Sequence, residues 1–250
     1  YNSNETYVFI TSDDANLYKP LENQTVIVQF QTNDICVDIK LGSLKNDSAM
    51  QIFNPSPKIE RFDFWSGQLQ TNKSKYIYNV TLSKETTGFA QVFNYSILNK
   101  NPNNTYVPLR NFTGRMPIRD MNDNISQNSP QTFLFVGNMD ISYRSEEMLA
   151  RLNEFAVNAS QNQPSVDLIV YLGNMAYNLK DNEYEKGDTF LNAFENFSTV
   201  IPIVSTPGTG ESDNNYLFYS KMFKITTQER NGFFYSFNIG YVHFVQINMG

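Results

Sequence analysis

The sequence predicts an all-β sandwich over residues 1–117, a polar linker at 118–130, and an α/β layer over 131–250. Three observations predict it. Residues 7–107 carry short alternating apolar runs broken by Asn, Pro, Gly and Ser, with no helical period. After Pro130 the apolar runs become continuous, as in strands buried on both faces of a sheet. Between those runs lie stretches whose apolar residues recur every three or four positions, the period of a helix packed along one face. With 250 residues, 40% hydrophobic and 14% aromatic, the chain has material for a real core and is not a disordered one.

The strand candidates in the first part are 7–11, 25–31, 35–41, 59–64, 75–82 and 88–98, separated by turn clusters such as Asn54-Pro-Ser-Pro57 and Asn99-Lys-Asn-Pro-Asn-Asn104. About seven strands at this spacing suit a sandwich of immunoglobulin or fibronectin type III style. In the second part Thr132–Val136 and Asp167–Leu172 read as buried strands. Between them Ser145 is placed to cap a helix whose first turn carries Glu146 and Glu147, favourable at the positive end of the helix dipole. Phe190, Phe194 and Phe197 predict a second helix over 188–198. Val200–Val204 is a third strand, with Pro202 suggesting an edge or a strand start. Phe233–Phe237 and Tyr241–Ile247 read as a hairpin turning at Gly240.

The charge balance of 19 Lys+Arg against 25 Asp+Glu, net −6, argues against a nucleic-acid partner, which calls for a basic face. No apolar run approaches the roughly 18 residues of a membrane helix. Tyr1 opens the chain without an initiator Met or a leader, the pattern of a trimmed segment. Eleven Asn-x-Ser/Thr sequons occur, at Asn4, Asn23, Asn46, Asn72, Asn79, Asn94, Asn103, Asn111, Asn124, Asn158 and Asn196. Chance from this composition gives about five. Asn79 and Asn94 fall on the polar side of their strand patterns and Asn158 away from its helix stripe, where sugars clear the core. The expectation is a secreted, N-glycosylated protein, extracellular or on the cell surface, with a lysosomal or vacuolar lumen as the alternative. Cys36 is the one cysteine, so no disulfide closes within the chain.

Three glycine turns follow the three predicted strands: Val136-Gly-Asn-Met-Asp140, Leu172-Gly-Asn-Met-Ala-Tyr177 and Thr206-Pro-Gly-Thr-Gly-Glu211. Ligands in such sheets bind beyond the carboxyl ends of the strands. The pattern resembles the purple acid phosphatases, metallophosphoesterases in which a β-sandwich precedes a catalytic α/β domain. That family shows Gly-Asp after the first strand, Gly-Asp-x-x-Tyr after the second and Gly-Asn-His-Glu/Asp after the third, followed by two later histidine motifs. The segment Phe233–Val245 is similar to family strands as well.

The resemblance implies a dinuclear metal site, iron with zinc or manganese, at Asn138, Asn174, Tyr177 and Thr209. Asn138 and Asn174 stand where the family has carboxylates, and Thr209-Gly210 where it has Asn-His. Neutral amides cannot balance two metal cations, so the expectation is a degenerate member with no cofactor. Asp140, Asp181, Glu183, Glu185, Glu211 and Asp213 are the acidic residues near enough in sequence to rebuild a site. His243, the one histidine, reads as a packing residue of its strand, which leaves no serine-histidine-aspartate arrangement. Three functions follow: an inactive binding or structural module with a protein partner or self-association, an active phosphatase or phosphodiesterase with an altered metal site, and a self-assembling extracellular structural glycoprotein. Set against the family, the α/β domain is incomplete at Gly250, and the second of these functions predicts the later histidine motifs intact beyond it.

Overall fold

The computed structural model describes residues 5–11, 25–32, 39–45, 49–52, 58–83, 92–100, 102–115, 131–176, 178–223, 233–239 and 242–248. In chain order the elements are β1 (Glu5–Thr11), β2 (Thr25–Thr32), β3 (Ile39–Lys45), β4 (Ala49–Ile52), β5 (Lys58–Ser66), β6 (Thr71–Ser83), β7 (Val92–Lys100), β8 (Tyr106–Arg115), β9 (Phe133–Val136), α1 (Glu146–Ser160), β10 (Leu168–Tyr171), α2 (Glu185–Ser198), β11 (Ile203–Ser205), α3 (Asp213–Met222), β12 (Phe234–Ile239) and β13 (Val242–Ile247). A seven-stranded sheet has the order β5-β6-β2-β1-β11-β10-β9, a four-stranded sheet β4-β3-β7-β8, and β12 pairs with β13 as a hairpin.

The large sheet joins both parts of the sequence. β5, β6, β2 and β1 are antiparallel neighbours, whereas β1, β11, β10 and β9 run parallel, with Phe9 in register with Ile203. No break in this sheet matches the division expected at 118–130, and that linker itself lies outside the described residues. Alternation identifies a strand but not its partner, so the seam between β1 and β11 was invisible before folding.

Two apolar layers hold the sheet. On one face Ile169, Tyr171, Ile203, Phe62 and Ile77 pack with Leu152, Ala156 and Ala159 of α1, with Phe190, Phe194 and Phe197 of α2, and with Phe218, Tyr219 and Met222 of α3. On the other, Val28, Phe30, Tyr78, Val80 and Leu82 meet Phe93, Tyr95 and Ile97 of β7, while Leu168, Val170 and Val204 meet Tyr235, Phe237 and Ile239 of β12. Successive residues of β10 therefore serve opposite layers, which explains its continuous apolar run. Among the described residues, no helix is long and apolar enough to cross a membrane.

Several local expectations are corrected. β9 is the last strand of its sheet, so Phe135 is 57% exposed rather than buried. The Ser145 hydroxyl makes no capping bond, because a short 3-10 turn at Tyr143–Ser145 leads the chain into α1. The third parallel strand starts at Ile203, after Pro202. α3, β4 and β8 were not foreseen. His243 is exposed in β13 and shares its outward face with Val245, 63% exposed, because Phe244 is the residue turned inward, stacked on Phe237 at 4.9 Å.

Candidate functional site: three glycine turns at one sheet edge

Because β9, β10 and β11 are parallel neighbours, the turns that follow them lie side by side at their carboxyl ends. The first two are tied by Asn138 N–H donating to the Gly173 carbonyl at 2.9 Å and by Ala176 N–H donating to the Met139 carbonyl at 3.2 Å. The Tyr171 hydroxyl reinforces this junction: it accepts from Met139 N–H at 3.2 Å and donates to the Met139 carbonyl at 3.0 Å. Asn138 and Asn174 both hold left-handed backbone angles, φ of 54° and 56°, which asparagine tolerates better than most side chains.

The second and third turns touch through their backbones. Gly173 has φ of +83°, and a Cβ there would be driven into the Gly208 amide. A Cβ on Gly208 would lie 2.6 Å from Asn174 Oδ1 and 2.7 Å from Asn174 N. Only hydrogen fits at either position, and this close approach is the reason for glycine in both motifs.

Glu211 clasps the same junction. Its Oε2 accepts from Asn174 N–H at 2.8 Å and Gly208 N–H at 2.7 Å, and its Oε1 accepts from Met175 N–H at 2.6 Å. The residue is 4% exposed. Burial pushes its carboxyl above the usual range, and the backbone donors pull it partly back. Asn174 Oδ1 in turn accepts from Gly210 N–H at 2.9 Å and from the Thr209 hydroxyl at 3.4 Å. Thus the amide oxygen and the carboxylate nearest the edge already serve loop N–H groups.

The other acidic residues are drawn elsewhere. Asp213 pairs with Lys180 at 2.8 Å, Asp181 with Lys186 at 3.5 Å, and Glu183 accepts from Ser66 and from Gln68 N–H on the β5–β6 hairpin. Asp140 accepts from the N–H of the next residue, Ile141, at 2.8 Å. Among the described residues, no three His, Cys, Asp or Glu side chains converge. Iron, zinc or manganese needs anionic oxygens, so the described residues do not fit a dinuclear site of that kind.

Of the positions singled out from the sequence, Asn138, Asn174 and Thr209 do come to one edge, with Asn138 and Thr209 exposed and Asn174 half-buried. Tyr177 lies outside the described residues, as does Cys36. A cleft of about 630 Å³ opens beside the first turn, lined by Asn138, Asp140, Ser142, Tyr143, Arg144 and Met148 among others. The sequence did not foreshadow the clasp of Glu211. Its signal was the position of an acid three residues after Gly208, where its side chain folds back on the turn.

The sequons divide by burial. Asn72, Asn94, Asn103, Asn111 and Asn196 are exposed and Asn158 is half-buried. Asn4, Asn23, Asn46 and Asn124 lie outside the described residues. Asn79 differs: both atoms of its amide are enclosed without a hydrogen-bond partner.

No protein-family model matches the chain. Over 86 residues, 34% of its length, the chain is 27% identical to acid phosphatase type 7 of Homo sapiens, and the match covers 19% of that protein. The Danio rerio counterpart is 27% identical over 82 residues, which are 33% of this chain and 18% of that one. In structure, the chain aligns with a purple acid phosphatase isolated from yellow lupin (Lupinus luteus) seeds at a TM-score of 0.63 and 11% identity, covering 97% of this chain and 44% of the lupin chain. It spans less than half of that solved structure, and the matched segment about a fifth of the curated relatives. The chain resembles the purple acid phosphatases in sequence and shares their fold.

Proposed function

We propose that this chain belongs to a secreted, N-glycosylated protein that keeps the purple acid phosphatase fold without its hydrolytic chemistry and acts as a binding or structural module. One observation carries the loss of activity. The Asn174 amide and the Glu211 carboxylate are committed to backbone N–H groups of the turns, at the edge where a phosphatase of this fold would need carboxylates free for metals. Secretion and glycosylation rest on the sequons, five of which, among the described residues, keep their asparagine exposed.

The test is elemental analysis by mass spectrometry on the full-length protein purified without chelators, with hydrolysis of an aryl phosphate monoester assayed alongside. Metal at background and no hydrolysis above solvent are expected. Near-stoichiometric iron, zinc or manganese, together with hydrolysis that is lost on substituting Asn174 or Tyr177, would overturn the proposal.

A further inference from the structure

The β5–β6 hairpin carries the chain's one tryptophan in an unusual place. Along β5 the side chains of Phe62, Phe64 and Ser66 turn toward the helices, so Arg61, Asp63 and Trp65 face outward. Trp65 is 59% exposed, and Leu69 at the hairpin tip is 62% exposed. Across the ladder Trp65 is in register with Asn72, and Asp63 with Ser74. Outward side chains of this ladder reach each other: the Ser74 hydroxyl donates to Asp63 Oδ1 at 2.6 Å, two rungs from Trp65 and Asn72 and the next pair on the same face. Directly opposed residues have Cβ atoms about 4.5–5.5 Å apart.

Asn72-Lys73-Ser74 is a sequon, and Asn72 is exposed. The tip that presents this pair is held in place. Glu183 accepts from the Ser66 hydroxyl at 2.6 Å and from Gln68 N–H at 2.9 Å, and Ser66 Oγ accepts from Leu69 N–H at 3.2 Å. The held hairpin thus offers an exposed indole beside a glycan acceptor. A pyranose ring has an apolar C–H face that packs on an aromatic face, and a large aromatic left in water gains by being covered.

We propose that Asn72 carries an N-linked glycan whose first N-acetylglucosamine covers Trp65. The inference rests on the glycosylation reading above and deepens it. In the transfer, the Asn72 amide nitrogen attacks the anomeric carbon of a lipid-linked diphosphate oligosaccharide. The carbon–oxygen bond to the diphosphate breaks, an N-glycosidic bond forms, the lipid diphosphate leaves with the bonding electrons, and the amide gives up one proton. The folded hairpin then supplies the surface on which the first sugar rests, so the glycan stabilises the hairpin and shields its largest exposed apolar side chain.

The experiment uses full-length protein secreted from eukaryotic cells, with glycopeptide mass spectrometry for occupancy and acrylamide quenching of tryptophan fluorescence, each spectrum taken as the difference from Trp65→Phe. Occupancy at Asn72 is expected, with Trp65 protected from quencher. Trimming glycans to the first sugar should leave that protection intact. Complete removal by peptide:N-glycosidase, or the Asn72→Gln or Ser74→Ala variant, should shift the emission to the red and raise quenching. Enzymatic removal from folded protein keeps the test valid if a variant fails to fold. Occupancy at Asn94, Asn111 or Asn196 with Asn72 bare overturns this proposal alone, whereas bare sequons throughout overturn the glycosylation reading with it. Equal quenching before and after removal overturns the packing. So does concentration-dependent protection of Trp65 in protein bare at Asn72, which would assign the indole to a second copy of the chain.

Discussion

Arg115 at the end of β8 and Asp167 just before β10 form an ion pair at 3.3 Å with both side chains only 1% exposed. The pair is supported at both ends. Arg115 Nη1 donates to the Gln163 carbonyl at 3.2 Å, and Asp167 Oδ2 accepts from Thr132 N–H at 2.9 Å. Arg115 N–H also donates to the Val200 carbonyl at 2.9 Å. These bonds fasten the last strand of the small sheet to the parallel strands of the large one. Removing one charge strands the other in the interior, so Arg115→Met or Asp167→Asn should each cost about 3–5 kcal/mol of stability. The double variant should lose less than the two single losses added together, because no buried charge is left unpaired. Urea unfolding of the four proteins measures the coupling.

Glu211 should prove structural. Truncation to alanine leaves the N–H groups of Asn174, Met175 and Gly208 without their acceptor, and each buried orphan costs about 1–3 kcal/mol. Glu211→Gln keeps one acceptor oxygen but brings an NH2 group against N–H donors, so it should fall between wild type and Glu211→Ala. Thermal unfolding gives the order. Unchanged stability in Glu211→Ala would show that the clasp contributes nothing.

Gly173→Ala and Gly208→Ala should both destabilise, for different reasons. At Gly173 the new methyl meets the Gly208 backbone and also sits at φ of +83°; strain of the backbone alone is worth about 1–3 kcal/mol. Gly208 carries no positive φ, so its variant reports only the collision with Asn174. Asn174→Gly paired with Gly208→Ala should relieve part of the loss by removing the side chain the methyl strikes.

Alkaline titration should find three deeply buried tyrosines slow to give up their protons. Burial drives the hydroxyls of Tyr95, Tyr219 and Tyr235 above their ordinary range. Tyr219 and Tyr235 donate to the Ser205 carbonyl at 2.8 and 2.7 Å, and Tyr95 to the Thr199 carbonyl at 2.9 Å. The folded protein keeps these protons at a pH where the unfolded chain, with tyrosines near pH 10, has lost them. The unfolded state then binds fewer protons, so stability falls as pH rises through about 10 and above. Ultraviolet difference titration should show these three ionising together with unfolding, and each Tyr→Phe variant should flatten the fall.

Asn79 should remain without sugar in the secreted protein. It lies in β6 between β2 and β5, opposite Gln29 and Lys58, and its amide is enclosed on both atoms. Side chains leave a sheet from its faces, so a glycan there would have to displace what covers this one, where the neighbouring Gln29 amide donates to the Lys221 carbonyl of α3 at 3.0 Å. Glycopeptide mapping that finds Asn79 occupied in natively folded protein would contradict the packing of this face.

The periodicities carried most of the secondary structure. The alternation around 59–64 and 75–82 became β5 and β6, and the spacing of Phe190, Phe194 and Phe197 became the buried side of α2, because side-chain direction follows directly from backbone period. The glycine turns were legible too, since positive φ and close backbone approach leave few residues to choose from. α3 was missed: its first residues Asn214, Asn215 and Tyr216 have positive φ and interrupt the helical pattern. His243 was misplaced because alternation in β13 says which residues share a face but not which face finds a core.

Local sequence by itself determined most of the strands, the two long helices, the glycine turns and the positions of the sequons, all of which depend on neighbours a few residues apart. Only the tertiary structure decided that β1 joins β11, that Glu211 answers three backbone donors instead of remaining free, and that Trp65 stands beside Asn72 while Asn79 is enclosed. Apart from the Trp65–Asn72 pair, which the register of one hairpin sets, those outcomes depend on which distant segments come together. Pairing across a sheet is set by the total burial of both faces, a quantity that no window of the sequence contains.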